Sequence, residues 1–439
     1  MNLLTVLLIF SGVTVMTVTG CQYETPADEL LTADRLEVDR LSDDRTKADR
    51  VKTGLEMLVN RDFDVLQGKR VGLITNATGV DAGLKSIVDI FYESEHVNLV
   101  ALFGPEHGVR GDHDAGAYVE SYTDEQTGIP VYSLYGPTRK PTDDILEGID
   151  VLVYDIQDIG ARSYTYISTM GLTMEAAAEQ GIEYVVLDRP NPLGGERVEG
   201  NLAEEGFFSF VSQYPIPYVH GLTVAELAVM LIEEEMLTDG VQVELTVVAM
   251  KNWWRDMTFQ ETGLHWVPSS PHIPHAHSPI FYVATGIFGE LQILSEGVGY
   301  TLPFEIFGAE WIDSGKLATV LNEQKIPGVI FRPVSWRPYY GRDEGKRLQG
   351  VQIHVTDYSE LNLTALGFRF LEAHHQLYPE KNPFELATDA RINMFDRVAG
   401  SSQVRELFME NMRYDDVRDY LNKDVIPFRE LSRNYWLYK

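Results

Sequence analysis

The feature that most constrains the fold is an alternation, from about residue 54 onward, of short apolar runs with helical patterns. The runs that indicate strands are Arg70–Thr75, Asn98–Phe103, Pro130–Leu134, Val151–Ile156 and Tyr184–Leu187. The helical patterns are Leu84–Tyr92, Thr142–Gly148, Ser168–Gln180 and Val224–Leu237, and Thr223 with Glu226 forms a capping box before the last. Apolar strands that alternate with helices predict a parallel sheet covered on both faces. We therefore expect a Rossmann-like doubly wound α/β domain over residues 53–250.

The second half of the chain has a different pattern. Residues 264–310 are rich in Pro, Gly, His and aromatic residues and contain no long periodic segment. Strand-like runs over Gly328–Pro333 and Gly350–Thr356 precede a helical pattern over Leu361–His374. This order predicts a smaller α+β domain over residues 251–439, and a cleft between two domains is a favoured ligand site.

The N-terminal residues indicate export. Leu3–Val18 is apolar and uncharged, shorter than the about 20 residues of a membrane-spanning helix but typical of a signal-peptide core. The run ends in Val18-Thr19-Gly20-Cys21, which resembles a bacterial lipobox, although no Lys or Arg precedes the apolar core. We expect residues 1–21 to be a lipoprotein signal with Cys21 as the lipidated residue, and residues 22–52 to be a charged tether. The alternative is an ordinary cleaved signal with an incidental cysteine.

The cysteine count, the net charge and the absence of certain motifs argue against several classes of function. Cys21 is the only cysteine, so the chain has no internal disulfide and its folded part has no catalytic cysteine. The formal net charge of −30 repels phosphate backbones and argues against nucleic-acid binding. The run from Ile74 to Gly79 lacks a dinucleotide-binding glycine pattern, and Gly-x-Ser-x-Gly is absent. We predict no cofactor, and the sequence leaves the oligomeric state open.

Polar side chains follow the predicted strands at the points where they end. Because the carboxyl ends of parallel strands meet at one edge of the sheet, these side chains should lie close together and face a ligand. The side chains predicted to contact the substrate are Asn76, His107, Arg110, Asp155, Gln157, Asp158, Arg162, Tyr164, Arg189, Asn191 and His220, with Glu296 from the second domain.

The carboxylates in this set fit glycoside hydrolysis, which generally needs a protonated acid and a second carboxylate as base or nucleophile. Glu106 lies between Pro105 and His107 in a turn of restricted backbone, where partial desolvation favours a catalytic acid. The residues that compete for the second role are Asp155, Asp158, Asp188 and Glu199, and Asp188 and Glu199 are the catalytic candidates.

Three histidines, His272, His275 and His277, lie within seven residues and suggest a metal site. The intervening prolines prevent a regular helical ligand face, so we predict no metal and expect this loop to line the substrate or to be structural.

Long motifs in this chain resemble the exo-β-N-acetylmuramidases of the NamZ/YbbC type. They are Gly72–Gly79, Leu102–Gly111, Asp155–Tyr166, Leu187–Gly195, Glu199–Asn201 and Pro217–Thr223, in order along the chain. The resemblance implies a Rossmann-like domain and a smaller C-terminal domain with the active site between them. It also implies release of N-acetylmuramic acid from the non-reducing ends of peptidoglycan fragments.

The resemblance also implies roles for particular residues. By its position in the matching motif, Glu106 is the expected catalytic carboxylate, and Arg110, Arg162 or Arg189 would hold the lactyl carboxylate of the sugar. The C-terminal match is looser, because His272 stands where an asparagine is expected and Val298 where an arginine is expected. These departures leave the exact sugar open. The alternatives are a lipoprotein that binds wall fragments without turnover and a metal-dependent hydrolase.

Overall fold

A computed structural model describes residues 50–111, 121–136 and 139–439. The strands in these ranges are β1 Arg70–Thr75, β2 Asn98–Gly104, β3 Tyr122–Thr123, β4 Pro130–Ser133, β5 Val151–Asp155, β6 Glu183–Leu187, β7 Glu199–Leu202, β8 Pro217–Val219, β9 Leu245–Val248, β10 Ile306–Ala309, β11 Val329–Trp336 and β12 Leu348–Val355. Cys21 and the predicted signal and tether up to residue 49 lie outside the described residues. Over the described ranges, no helix combines the length and apolar composition that a membrane span requires.

The central sheet has the order β3-β4-β2-β1-β5-β6-β9. All its described pairs are parallel except the antiparallel edge pair of β3 and β4. The predicted doubly wound α/β domain is therefore confirmed, and the five predicted strands are β1, β2, β4, β5 and β6. A short antiparallel pair, β7 and β8, lies beyond the carboxyl edge of this sheet.

Helices cover both faces of the central sheet. The helices of the first half are α1 Gly54–Asn60, α2 Ile87–Glu93, α3 Asp143–Leu146, α4 Tyr166–Gln180 and α5 Val224–Glu233. Helices α1 and α2 pack on one face around Leu73 and Leu102, whereas α3, α4 and α5 pack on the other around Tyr154. The predicted capping box is confirmed, because Thr223 accepts from the Glu226 amide and the Glu226 carboxylate accepts from the Thr223 amide.

The C-terminal lobe, defined as residues 278–422, contains the antiparallel sheet β10-β12-β11. Its helices are α6 Ser278–Gly289, α7 Ser314–Glu323, α8 Leu363–Leu377, α9 Pro383–Leu386, α10 Asp389–Ala399, α11 Gln403–Asn411 and α12 Tyr414–Asn422. The prediction of no long periodic segment before residue 310 is wrong, because α6 lies there. This helix is apolar on most sides and buries Phe281, Val283 and Phe288, so no polar face marks its period.

The last residues return to the N-terminal lobe, defined as residues 50–277. After α13 Val425–Ser432, the Leu437 amide donates to Glu226 at 2.9 Å and the Tyr438 hydroxyl donates to Asp188 at 2.5 Å. Arg255 also contacts Glu226, at 2.5 Å. The chain terminus therefore closes over the N-terminal end of α5 and ties the two lobes together.

The second tie between the lobes is the buried side chain of Arg162. Its guanidinium donates to Ser212 Oγ and to backbone oxygens of Asn201 and Ile216 in the N-terminal lobe. It also donates to the oxygens of Val398 and Ala399, at the C-terminal end of α10. These bonds use all five N–H groups of the side chain, and the negative end of the α10 dipole faces the cation. Arg162 therefore joins the lobes, and protein acceptors use all five of its N–H groups in this structure, whereas the sequence predicts that it contacts the substrate.

We predict that Arg162→Met lowers the free energy of unfolding by about 3–5 kcal/mol, because it leaves several buried oxygens without donors. Arg162→Lys should be intermediate, since it keeps the charge with fewer donors. Denaturant unfolding measures both, with Arg61→Met as the control because Arg61 forms a surface pair with Asp64. Equal losses for Arg61→Met and Arg162→Met would contradict this role.

Candidate active site

Glu106 lies in a tight turn at the carboxyl end of β2. The Gly108 amide donates to the Pro105 oxygen at 3.0 Å, which closes the turn. His107 adopts a positive φ of 75° although it carries a side chain and is buried. Such backbone is unfavourable for a non-glycine residue and persists only where surrounding contacts hold it. The turn presents the half-buried Glu106 carboxylate at the sheet edge.

Tyrosines from two other strand ends surround Glu106. Tyr135, just after β4, lies in the electrostatic field of the Glu106 carboxylate, and burial together with that charge raises the pKa of Tyr135 to about 12. Burial also raises the pKa of Tyr164 and Tyr166, and the Glu106 charge contributes to both shifts. The rings of Tyr164 and Tyr166 meet edge to face at 4.9 Å. Tyr135, Tyr164 and Tyr166 therefore lie within electrostatic range of Glu106, and we call these three residues the aromatic wall.

The loop of residues 264–277 lies against this wall. The Tyr166 hydroxyl donates to the Ser269 oxygen at 2.5 Å, and the hydroxyls of Tyr164 and Ser269 lie 2.8 Å apart. His272 lies within the electrostatic field of Glu106 and His107, and burial, with a further contribution from His107, lowers the pKa of His272. The loop therefore packs on Tyr164 and Tyr166, next to the Glu106 turn.

A hydrogen-bonded network extends from this site along the sheet edge. Asn76 interacts with Tyr166 and accepts from the Thr78 hydroxyl at 2.6 Å. The Thr78 hydroxyl accepts in turn from the Gln157 amide at 2.9 Å. Thr78 and Gln157 then line a neighbouring cleft together with Arg189 and Trp266. The structure thus brings Asn76, Gln157 and Arg189 to one edge, as the strand-end rule predicted.

Arg189 is fixed at this cleft by a buried ion pair. Its Nε lies 2.5 Å and its Nη2 lies 2.8 Å from the two oxygens of Asp155. Burial raises the pKa of Asp155, and the Arg189 charge opposes that shift. Nη2 also donates to the Val80 oxygen at 3.1 Å. Asp155 therefore orients the guanidinium at the cleft.

Asp158 and His220 form a second buried pair at the sheet edge. His220 Nε2 lies 3.9 Å from Asp158 Oδ2, and neither His220 Nε2 nor Asp158 Oδ1 has a hydrogen-bond partner among the described residues. Burial raises the pKa of Asp158 to about 7 and lowers that of His220 to about 4. The Asp158 charge also contributes to the raised pKa of Tyr164, so this pair lies within electrostatic range of the aromatic wall.

Several predicted site residues are held in contacts elsewhere. Arg110 pairs with Asp124 at 2.6 Å and with Asp89 at 3.0 Å, so its guanidinium is bound on the far side of the Glu106 turn. Asn191 accepts from the Leu193 amide and donates to the Leu222 oxygen, and so shapes its own loop. Glu296 is packed against α6 with a buried carboxylate whose pKa burial raises to about 7.

The two other catalytic candidates occupy structural positions. Asp188 is fully buried and accepts from the Ala225 amide at the N-terminal end of α5 as well as from Tyr438. Glu199 pairs with Arg197 at 2.5 Å and accepts from the Thr364 amide at 3.0 Å, in the first turn of α8. Both carboxylates stabilise helix N-terminal ends and the contact between the lobes.

The structure adds Tyr135, Tyr166 and Ser269 to the site. Tyr135 follows the third predicted strand, so the strand-end rule that selected the other residues could have found it. Ser269 gives no such signal, because its loop has no regular pattern.

The three histidines of the loop do not converge. His275 and His277 stack at 5.2 Å, and His277 Nε2 lies 3.4 Å from Glu305, whereas His272 contacts Tyr340. Within the described ranges, no three His, Cys, Asp or Glu side chains are grouped as metal ligands would be.

We predict that Asp188→Asn changes the pH dependence of stability. Burial raises the pKa of Asp188 to about 7, so the folded protein holds this proton more tightly than the unfolded chain does. Asp188 therefore lowers the free energy of unfolding of the wild-type protein progressively as pH rises from about 4 to about 7. The stability of Asp188→Asn relative to wild type should rise over this interval, by roughly 1.4 kcal/mol per unit of pKa shift.

Denaturant unfolding at several pH values measures this difference, and Asp150→Asn is the control. Arg70 lowers the pKa of Asp150 to about 2, so the difference for Asp150→Asn should be level between pH 5 and 7. If the stability difference between Asp188→Asn and wild type did not change with pH, burial would not raise the pKa of Asp188 as described. Asp188→Asn should also lose far less activity than the about 100-fold or more expected for a catalytic acid or base.

Comparison with known proteins agrees with this architecture. Two family models cover most of the chain: the N-terminal model of the exo-β-N-acetylmuramidase NamZ matches residues 71–277, and the C-terminal model matches residues 280–438. The peptidoglycan β-N-acetylmuramidase NamZ of Bacillus subtilis is 45% identical over 388 residues, which are 88% of this chain and 91% of that protein.

Two solved structures have the same fold, and both are DUF1343 family proteins of Bacteroides fragilis. One is 55% identical with a TM-score of 0.85, and the other is 27% identical with a TM-score of 0.71. Each similarity covers 89% of this chain and 99% of the other. The chain therefore belongs to the NamZ family of exo-β-N-acetylmuramidases, which are glycoside hydrolases.

Proposed function

We propose that this protein releases N-acetylmuramic acid from the non-reducing ends of peptidoglycan fragments, with Glu106 as a catalytic carboxylate. The family membership supports the reaction class. The assignment of Glu106 is supported by its position in a constrained turn, near the aromatic wall and the loop of residues 264–277.

Glu106 has the surroundings that a glycosidase acid requires. The residue is half-buried, so a glycosidic oxygen can reach the carboxyl group, and the charge of Glu106 acts on Tyr135 and Tyr166. A carboxyl group that is placed against the glycosidic oxygen can deliver a proton to it as the bond breaks. The strained turn fixes its direction.

Asp158 is the carboxylate that we favour for the second role. Asp155 is bound to Arg189, Asp188 to Tyr438 and the α5 N-terminus, and Glu199 to Arg197 and Thr364. Asp158 Oδ1, in contrast, has no hydrogen-bond partner among the described residues, and Asp158 is electrostatically coupled to Tyr164 in the wall beside Glu106. An uncommitted carboxylate oxygen next to the aromatic wall suits a base or a stabiliser of developing positive charge.

Arg189 is the arginine that best fits the lactyl carboxylate of the sugar. Of the three predicted arginines, Arg110 and Arg162 are held by protein partners away from the cleft, and Arg189 lines it. Because Asp155 fixes one edge of its guanidinium, the group is oriented before a ligand arrives, which lowers the cost of binding.

The test is hydrolysis of a chromogenic N-acetylmuramide. Glu106→Gln and Asp158→Asn should each lower kcat by at least about 100-fold, as expected when an acid or base is removed. Glu93→Gln is the matched control, because Glu93 is exposed on α2 and paired with Lys85. Thermal unfolding should show that all three variants are folded. If Glu106→Gln and Glu93→Gln cleaved equally, the assignment of Glu106 would fail.

We also propose that the enzyme is exported and anchored to the cell envelope through a lipid on Cys21. The support is the sequence alone: an apolar N-terminal run, a lipobox-like Val18–Cys21 and a charged segment before the first described residue. Such an anchor would keep the enzyme where wall fragments are produced.

Metabolic labelling with a fatty-acid precursor tests the anchor. The wild-type protein should carry label and partition with membranes, and Cys21→Ala should lose both properties while its muramidase activity persists, since Cys21 precedes the residues that the family models match. Unlabelled wild-type protein would support the ordinary cleaved signal instead.

A further inference from the structure

The loop that joins β11 to β12 presents two unusually exposed aromatic side chains. Tyr339 is 67% exposed and Tyr340 is 49% exposed. We call residues 337–347 the hairpin loop. Large aromatic side chains usually bury most of their surface, and exposed aromatic clusters next to a cleft commonly mark a binding surface. A single exposed tyrosine does not indicate a binding surface, so the inference depends on how these two rings are arranged.

The hairpin loop is held in place by backbone hydrogen bonds. The Tyr339 amide donates to the Gly299 oxygen at 2.7 Å, and the Gly345 amide donates to the Pro338 oxygen at 3.0 Å. Arg342 donates to the Leu294 oxygen at 2.9 Å. Gly299 has a φ of 90°, and a Cβ there would lie 2.3 Å from the Tyr340 oxygen, so the contact needs glycine. These contacts therefore hold the backbone of both tyrosines in a defined position.

Each exposed tyrosine stacks on a ring from a different segment. Tyr339 and Tyr300 lie nearly parallel, with ring centroids 5.5 Å apart and planes 22° apart. Tyr340 and His272 lie 6.1 Å and 20° apart, and the Tyr340 hydroxyl is 2.8 Å from His272 Nε2. These stacks keep the rings in defined orientations, and we call the four residues the aromatic platform.

The aromatic platform begins at the candidate active site. His272 is half-buried and lies in the electrostatic field of Glu106 and His107. From His272 the rings continue through Tyr340 to Tyr339, and exposure increases along that path. His272 belongs to the loop whose Ser269 contacts Tyr164 and Tyr166, so the platform leads from the candidate active site toward solvent.

We propose that the aromatic platform binds the sugar residues on the leaving-group side of the scissile bond. This proposal rests on the proposed function: an exo-acting enzyme encloses the terminal sugar, so the rest of the glycan must leave the pocket over a neighbouring surface. Pyranose rings have apolar C–H faces that pack on aromatic rings, and tyrosine adds a hydroxyl for the sugar's polar edge. The ligand is thus the neutral amino sugar attached to the terminal muramic acid, together with any glycan that follows it.

Two substrates with the same terminal sugar test the proposal. One is an aryl N-acetylmuramide, which has no sugar in the leaving group, and the other is a peptidoglycan tetrasaccharide with muramic acid at its non-reducing end. Tyr339→Ala and Tyr340→Ala should raise KM for the tetrasaccharide by about tenfold, as truncation of an aromatic contact commonly does. The effect on the aryl substrate should be several times smaller. Tyr339→Trp should restore the tetrasaccharide KM, because it restores an aromatic face.

Tyr92→Ala is the matched control, because Tyr92 is 52% exposed on α2 and is not part of the aromatic platform. It should leave both KM values unchanged. Equal losses on both substrates would overturn the proposal, since the hairpin loop would then support the pocket itself. The absence of any effect would overturn it too.

A binding measurement separates this proposal from the proposed function. In a Glu106→Gln background, calorimetry compares the tetrasaccharide with free N-acetylmuramic acid as ligands. Addition of Tyr339→Ala should weaken tetrasaccharide binding by about tenfold and binding of the free sugar much less. This measurement does not depend on turnover. If the wild-type enzyme proved inactive, the proposed function would be refuted. The effect of Tyr339→Ala on the affinity for the tetrasaccharide, relative to that for the free sugar, would still show whether the platform binds the glycan.

Discussion

The buried guanidinium of Arg162 is the contact on which the arrangement of the two lobes depends. It connects the loop after β5 and the β7–β8 segment with the C-terminal end of α10, using backbone oxygens instead of a carboxylate. A buried cation without these oxygens would be strongly destabilising, so the fold is stable only when both lobes are in place. The same loop continues into Tyr164 and Tyr166, so the contact that joins the lobes also sets the position of the wall beside Glu106.

The carboxylates that follow the strands have different roles, and their burial and hydrogen-bond partners distinguish them. Asp188 and Glu199 accept hydrogen bonds from the first turns of α5 and α8, and Asp155 is neutralised by Arg189. The carboxyl groups that remain near the aromatic wall are Glu106 and Asp158. The site is thus a small set of reactive groups within a larger polar edge, most of which stabilises loops and helix ends.

The sequence predicts the central sheet well because strand runs and capping residues are local signals, and it locates Glu106 at a strand end. It cannot predict which distant segment each polar side chain meets. The strand-end pattern groups Arg110 with the substrate, yet Asp124, fourteen residues on, binds it. Two of the oxygens that accept from Arg162 belong to α10, more than 200 residues away. The sequence does not reveal helix α6 because this helix is apolar on most sides, so its residues show no amphipathic period.

Cleavage of the glycosidic bond at Glu106, between the aromatic wall and the loop of residues 264–277, can be tested by a crystal structure of Glu106→Gln with a bound peptidoglycan disaccharide. The glycosidic oxygen should lie within about 3.2 Å of the side chain at position 106, with the second sugar over the hairpin loop. A sugar whose glycosidic oxygen lay beside Asp188 or Glu199, away from position 106, would contradict it.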